Sequence, residues 1–255
     1  MKYLIVYAHP DPRSLNGSLK DRAAQVLRES GHEVRVSDLY AMRFKAVADA
    51  EDFPARDTGE RLVYHRAQGE AYAAGSQSED VREEQEKLLW ADIVVLQFPL
   101  WWFSVPAIMK GWIDRVFGHG FVIGVPRPAG GWLRYGEGRL SGRRAMLAIT
   151  TGGREEQFSP RGINGEIREL LFHLNHGVFH YTGMTVLEPF VAYRTARLPT
   201  DAFDELAERY IARLKNAPTS TPLRYRSENG GDYGADGIVR DDIASSLQGL
   251  ATHVL

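Results

Sequence analysis

Apolar positions follow two rhythms along this chain. "YLIVYAH" at residues 3–9 is a continuous apolar run of strand length, rich in Ile, Val and Tyr and ended by Pro10 and Pro12, the pattern of a strand buried on both faces. The next stretch, "SLNGSLKDRAAQVLRESG", switches to helical spacing at Leu15, Leu19, Ala23 and Val26/Leu27, with Ser14 placed as a cap and Gly31 as a stop. "HEVRVSDL" alternates Val34 and Val36 with polar neighbours and predicts an edge-like strand. "DIVVLQFPL" predicts a central strand. "VPAIMKGWIDRVF" predicts a helix with Val105, Ile108/Met109, Trp112/Ile113 and Val116/Phe117 on one face. "RRAMLAITTGG" predicts another buried strand, "NGEIRELLFHLNHGVFHYTG" a helix and "TVLEPFVAYR" a further strand. Tyr40 to about Glu60 reads as an irregular, charge-rich loop or lid, followed by the amphipathic stretches "RLVYHRAQGEAYAAG" and "SEDVREEQEKLLWA".

Strands alternating with helices imply an α/β, doubly wound parallel sheet with helices on both faces and right-handed crossovers. Ligands of such sheets bind beyond the carboxyl ends of the strands, where the strand order reverses. Residues 1–216 read as one domain. Residues 217–255 ("APTSTPLRYRSENGGDYGADG" and a short apolar ending) read as an extension with too few apolar residues for a core of its own.

Composition narrows the chemistry. With 255 residues, a net charge of -2 and no Lys/Arg run, the chain carries no electrostatic footprint for nucleic acid or an anionic membrane. Cysteine is absent, which excludes disulfides, thiolate nucleophiles, iron–sulfur clusters and Cys-based zinc sites. Redox chemistry would have to come from a cofactor. No signal-like segment opens the chain and no run approaches the roughly 20 apolar residues of a membrane span, so the expectation is a cytoplasmic protein with no membrane insertion.

Three strand ends carry the candidate chemistry. The first strand–helix loop lacks G-x-G-x-x-G, but Ser14 and Asn16 open a helix whose free N–H groups and dipole suit a phosphate. The bland alternative is a helix cap, with His9 bonded to its own loop. "TTGG" (Thr150, Thr151, Gly152, Gly153) brings backbone amides close to a flat ligand, or is simply a tight turn. In "PLWWF" (Pro99, Leu100, Trp101, Trp102, Phe103) the aromatic rings wall a planar heterocycle, or belong to a core or dimer interface. A flat, phosphate-bearing ligand satisfies all three ends. His173, His176 and His180 stand at i, i+3 and i+7 on a predicted helix, but with no supporting Cys they read as packed or interface histidines, and no metal site is assigned.

"AHPDPRSLN", "SDLYAM", "LQFPLWWFSVPAIMKGWIDRVF", "ITTGG" and "VLEPFVAY", in this order as far as about Arg213, together resemble the NAD(P)H quinone oxidoreductase (DT-diaphorase) family of flavodoxin-like flavoproteins. The resemblance implies a flavin, with FAD usual and FMN open, NAD(P)H as electron donor, a quinone or related electrophile as acceptor, turnover in ping-pong fashion and a homodimer with active sites at the subunit interface. It places His9, Ser14, Leu15 and Asn16 at the flavin's phosphate side. Pro99, Leu100, Trp101, Trp102, Phe103, Thr150, Thr151, Gly152 and Gly153 would border the isoalloxazine. Trp102, Phe103, Gly152, Gly153, Ile123, Val125 and Tyr181 would meet the substrate.

Departures from the family pattern fall at the reacting end. A tyrosine and a histidine that the family uses to balance charge on the reduced flavin are replaced by Phe158 and Asn164, the two positions carried over as catalytic. Phenylalanine donates no proton, and an amide offers a hydrogen bond without acting as an acid. The family's two substrate-covering tyrosines align with Ile123 and Val125, and a late-helix arginine with Phe203. The competing reading is a flavin-binding ancillary subunit of a glutathione-gated potassium efflux transporter. An FMN electron carrier of the flavodoxin kind fits less well, because the chain is close to neutral.

Overall fold

A parallel sheet orders the chain. The computed structural model describes all residues except 58, 129 and 245, which fall in the expected lid, in the loop after Phe121 and in the extension. Strand β1 (Lys2–Tyr7) pairs with β2 (Glu33–Asp38) on one side and β3 (Ile93–Pro99) on the other. Strand β3 pairs with β4 (Arg144–Thr150), and β4 with both β5 (Thr185–Val186) and β6 (Phe190–Ala192), all in parallel. The order β2-β1-β3-β4-β5 reverses between β1 and β3.

Period-two alternation sends side chains to two cores. Tyr3, Ile5, Tyr7, Ile93, Val95, Met146 and Ala148 pack with α1 (Leu15–Glu29) and a late helix, Phe203–Asn216. Leu4, Val6, Val94, Leu96, Phe98, Ala145, Leu147 and Ile149 face the other way. There they meet Leu88 and Met109, Trp112 and Val116, carried respectively by helices at Glu79–Trp90 and Ala107–Val116. In chain order α2 is Tyr64–Ala74, α3 Glu79–Trp90 and α4 Ala107–Val116.

Two predicted elements are interrupted. The helix expected across "NGEIRELLFHLNHGVFHYTG" is α5 (Ile167–Leu170), then α6 (Phe172–Leu174), then a π-helical stretch Asn175–His180. This break sends His173 to Ser104, whereas His176 lies against His180, ring centroids 5.3 Å apart, and against His253 from residues 217–255, at 5.6 Å. The last strand is split into β5 and β6 around Leu187–Pro189, where proline offers no N–H to a ladder. The helix Phe203–Asn216 is α7.

The charge-rich segment after Tyr40 is pinned to α4. A Cβ on Gly111 would sit 2.0 Å from the Ala46 carbonyl oxygen, so only glycine admits this close approach. Arg115, 2% exposed, donates from Nε to Asp52 Oδ1 at 3.0 Å and from Nη1 to Asp80 Oδ2 at 2.6 Å. Tyr64 donates to the other Asp52 oxygen at 2.6 Å. Residues 217–255 fold back on the preceding residues: Leu223 donates to the Val186 carbonyl at 2.8 Å and Arg134 pairs with Glu228 at 2.6 Å, while Arg226 donates to the His253 carbonyl at 3.0 Å within the extension itself.

Truncating Arg115 strands Asp52 in the interior, so Arg115→Ala is expected to cost about 3–5 kcal/mol in a urea titration. Burial, with His180 and His253 nearby, pushes the His176 pKa down to about 4 from 6.5. A base depressed on folding destabilises the fold as pH falls from the unfolded value towards the folded one. Stability should therefore decline between pH 6.5 and 4, and His176→Phe should flatten that part of the profile.

Candidate active site

The loops after β1, β3 and β4 converge at the reversal of strand order. In the first, a Cβ on Gly17 would fall 1.9 Å from the Pro12 carbonyl oxygen, so glycine lets the loop lie on the first turn of α1. Ser14 Oγ accepts the Gly17 N–H at 3.1 Å, the cap foreseen as the bland alternative. His9 Nδ1 lies 3.1 Å from the Asp11 backbone nitrogen and 3.0 Å from the Asp11 carbonyl oxygen, so the ring is held against its own loop. Among the described residues the Leu15 and Asn16 amides have no acceptor, and they sit at the positive end of the helix. Arg13, 3.0 Å away, offsets the charge of Asp11, whose carboxyl its hydrogen bonds hold at about 2.

The Asn16 side chain turns inward. Only 3% exposed, the residue donates from Nδ2 to Thr150 Oγ1 at 2.5 Å, while its carbonyl accepts from Gln97 Nε2 at 2.7 Å. Gln97 Oε1 accepts from Tyr210 at 3.0 Å, and burial raises the Tyr210 pKa. This chain fastens α1, β3, β4 and α7 beneath the loops. Sequence reasoning passed over Gln97 and Tyr210, although a lone Gln inside "VVLQFP" was a visible signal.

In the second loop Leu100 donates to the Thr150 carbonyl at 2.9 Å, and Pro99 is buried in the ladder opposite Thr150. Trp101 and Ser104 exchange backbone hydrogen bonds of 3.2 and 3.0 Å around Trp102 and Phe103, whose φ values are +50° and +61°. Two successive left-handed residues make a type I′ turn, costing about 1–2 kcal/mol for each L side chain. The turn leaves the Trp102 and Phe103 amides without acceptors among the described residues and Trp102 94% exposed. The Trp101 ring leans towards His9, centroids 6.2 Å apart.

In the third loop Thr151 donates to the Ala192 carbonyl at 2.9 Å, and Gly152 is exposed with a free amide among the described residues. A Cβ on Gly153 would meet the Phe158 ring at 2.6 Å, so this glycine lets the ring close in. Leu100, Trp102, Phe103, Thr151, Gly153, Phe158 and Asn164 surround a cavity of about 240 Å³. Among the described residues no ionisable side chain lines it, so these residues can stack a flat ring and present backbone amides but supply no acid or base. Ile123 and Tyr181 lie instead in a second cavity, of about 360 Å³, with Gln68, Ile113 and Phe117, and Val125 is buried nearby in sequence. The two cavities share no lining residue.

A family model described as the flavodoxin-like fold matches residues 1–215. The mouse ribosyldihydronicotinamide dehydrogenase [quinone] is 44% identical over 223 residues, 87% of this chain and 94% of that protein. The guinea pig NAD(P)H dehydrogenase [quinone] 1 is 37% identical over 223 residues, covering 87% and 79%. The chain belongs to the NAD(P)H quinone oxidoreductase family. It is an oxidoreductase of the NAD(P)H dehydrogenase (quinone) type. A crystal structure described as a candidate quinone reductase from Klebsiella pneumoniae matches 100% of both chains at 49% identity and a TM-score of 0.95. Among the described residues of this oxidoreductase no helix is long and apolar enough to cross a membrane, and no three His, Cys, Asp or Glu are grouped to hold a metal ion.

Because Trp102 is exposed and left-handed, Trp102→Gly is expected to leave the stability of the ligand-free oxidoreductase unchanged or higher by up to about 1 kcal/mol in denaturant unfolding. Removing the buried Trp112 side chain should cost about 3–5 kcal/mol.

Proposed function

We propose that the 240 Å³ cavity is the isoalloxazine site of a flavin-dependent enzyme that passes hydride from a reduced nicotinamide to a quinone or similar electrophile. The observation that carries this reading is the pair of Trp102 and Phe103 amides, free among the described residues, at an uncharged, aromatic-walled slot, with the Gly152 amide beside its lining residues Thr151 and Gly153 and the Leu15 and Asn16 amides on the same edge of the sheet. A flavin would supply two-electron chemistry there. The side chains of Leu100, Trp102, Phe103 and Phe158 exclude water and hold flat rings in stacking order. The Trp102, Phe103 and Gly152 amides would donate to the heterocycle's polar edge, and the His9 ring with the Leu15 and Asn16 amides would hold the phosphate. Phe158 transfers no proton, and Asn164 contributes at most an amide hydrogen bond.

Phe203 packs against the α1 and α7 core and offers no charge for an adenosine half, so FMN serves this site as well as FAD. The absence of Lys or Arg in the cavity lining also leaves room for a donor without a pyrophosphate, in keeping with the name of the mouse relative. Ile123 and Tyr181 line a different cavity from the slot, which supports a homodimer in which they, with Val125, meet the acceptor at the partner's site.

The purified protein should show a flavin absorption band that bleaches anaerobically with NADPH or dihydronicotinamide riboside and returns on adding menadione. A chain that binds no flavin, or whose flavin neither donor bleaches, would overturn this reading. Asn164→Ala should lower the reduction rate without releasing flavin, and sedimentation velocity should report a dimer.

A further inference from the structure

Among the described residues, one side-chain hydrogen bond ties the turn that carries Trp102 and Phe103 to a distant part of the chain. Ser104 Oγ lies 3.1 Å from His173 Nε2, 69 residues along the chain. His173 Nδ1 lies 2.9 Å from the Leu170 carbonyl oxygen. A carbonyl only accepts, so Nδ1 carries the ring proton and Nε2 is the acceptor for the Ser104 hydroxyl. Partial burial keeps the His173 pKa below its ordinary value; the Leu170 carbonyl works against this and Lys110 with it, and the ring is neutral at pH 7. His173 can take this position because the break after Leu170 and the π-helical stretch Asn175–His180 separate it from His176 and His180.

We propose that His173 is a positioning residue, which through Ser104 holds the left-handed Trp101–Ser104 turn closed and keeps the Trp102 and Phe103 amides set for a flat ligand. It touches neither cofactor nor substrate. A type I′ turn favours Asn and Gly, and Trp and Phe at its centre relax to negative φ once the closing residue is free, rotating both amides away from the cavity. The ligand part of the proposal rests on the cavity being a flavin site. The latch itself is a property of the unliganded chain.

The test compares wild type with His173→Ala, Ser104→Ala, the double variant and His173→Gln. FMN and FAD affinities are read by quenching of flavin fluorescence, and the turn by ¹⁹F NMR of flavin-free chain labelled with 5-fluorotryptophan, the Trp101 and Trp102 signals being assigned by substitution. Each alanine variant should weaken flavin binding roughly threefold to tenfold, the range for one hydrogen bond. The double variant should be no weaker than either single, since both break the same contact. His173→Gln, which keeps an acceptor, should recover most of the loss. Additive losses, no recovery with Gln, or a lower unfolding temperature with unchanged flavin affinity would overturn the proposal. Should wild type bind no flavin, the function proposed above fails while the latch is still decided by NMR: a displaced Trp102 signal in both alanine variants supports it, and an unmoved one refutes it.

Discussion

The seating of β3 between β1 and β4 is the constraint on which the candidate site depends. The ladder aligns Tyr7 with Gln97 and Pro99 with Thr150, so three strands reach the same edge of the sheet within a residue or two of one another. A one-residue slip would exchange the faces of every β3 side chain and put Gln97 on the wrong side of the sheet. The Tyr210–Gln97–Asn16–Thr150 chain of hydrogen bonds secures this register from α7 and α1. Among the described residues Asn16 Oδ1 has no partner, but the paired members of this chain favour one arrangement, because any other would leave them unpaired in a low dielectric.

Above that floor the polypeptide keeps backbone donors unspent. Helix α1 leaves its first amides open, a type I′ turn leaves two, and the Gly152 turn leaves one more. Amides held by a ladder and a helix are already oriented for a ligand, and they keep that orientation at any pH. This suits a cavity in which no lining side chain ionises, and it gives the backbone a role where Phe158 and Asn164 provide little acid–base capacity. Strain at Trp102 and Phe103 is the structural counterpart of this arrangement.

The two excursions from the sheet are held by different physics. The segment after Tyr40, read in sequence as a loop or lid, is fastened by the buried Arg115–Asp52 pair and the half-buried Asp80. Its charges are legible in sequence, but their partners lie 35 and 63 residues apart and meet only when α3 and α4 pack. Residues after Ala217 are joined to the sheet by the Leu223 bond to Val186 of β5 and by packing of the Tyr225 ring against His176 and His180.

Local patterning by itself determined the parallel α/β architecture, the order of its principal strands and helices, and the three loops at their carboxyl ends. Period-two and period-3.6 spacing report burial directly, and motifs such as "PLWWF" and "TTGG" lie within single loops. Tertiary structure alone decided which of those residues share a cavity: Leu100, Trp102, Phe103, Thr151 and Gly153 came together with Phe158 and Asn164, Asn16 turned beneath the floor, and Ile123 and Tyr181 went to another cavity. It also decided the π-helical break that parts His173 from His176, and the left-handed turn at two aromatic residues that local preference disfavours. Such features depend on contacts between residues remote in sequence, whose energies outweigh local propensity and leave no periodic trace in the chain.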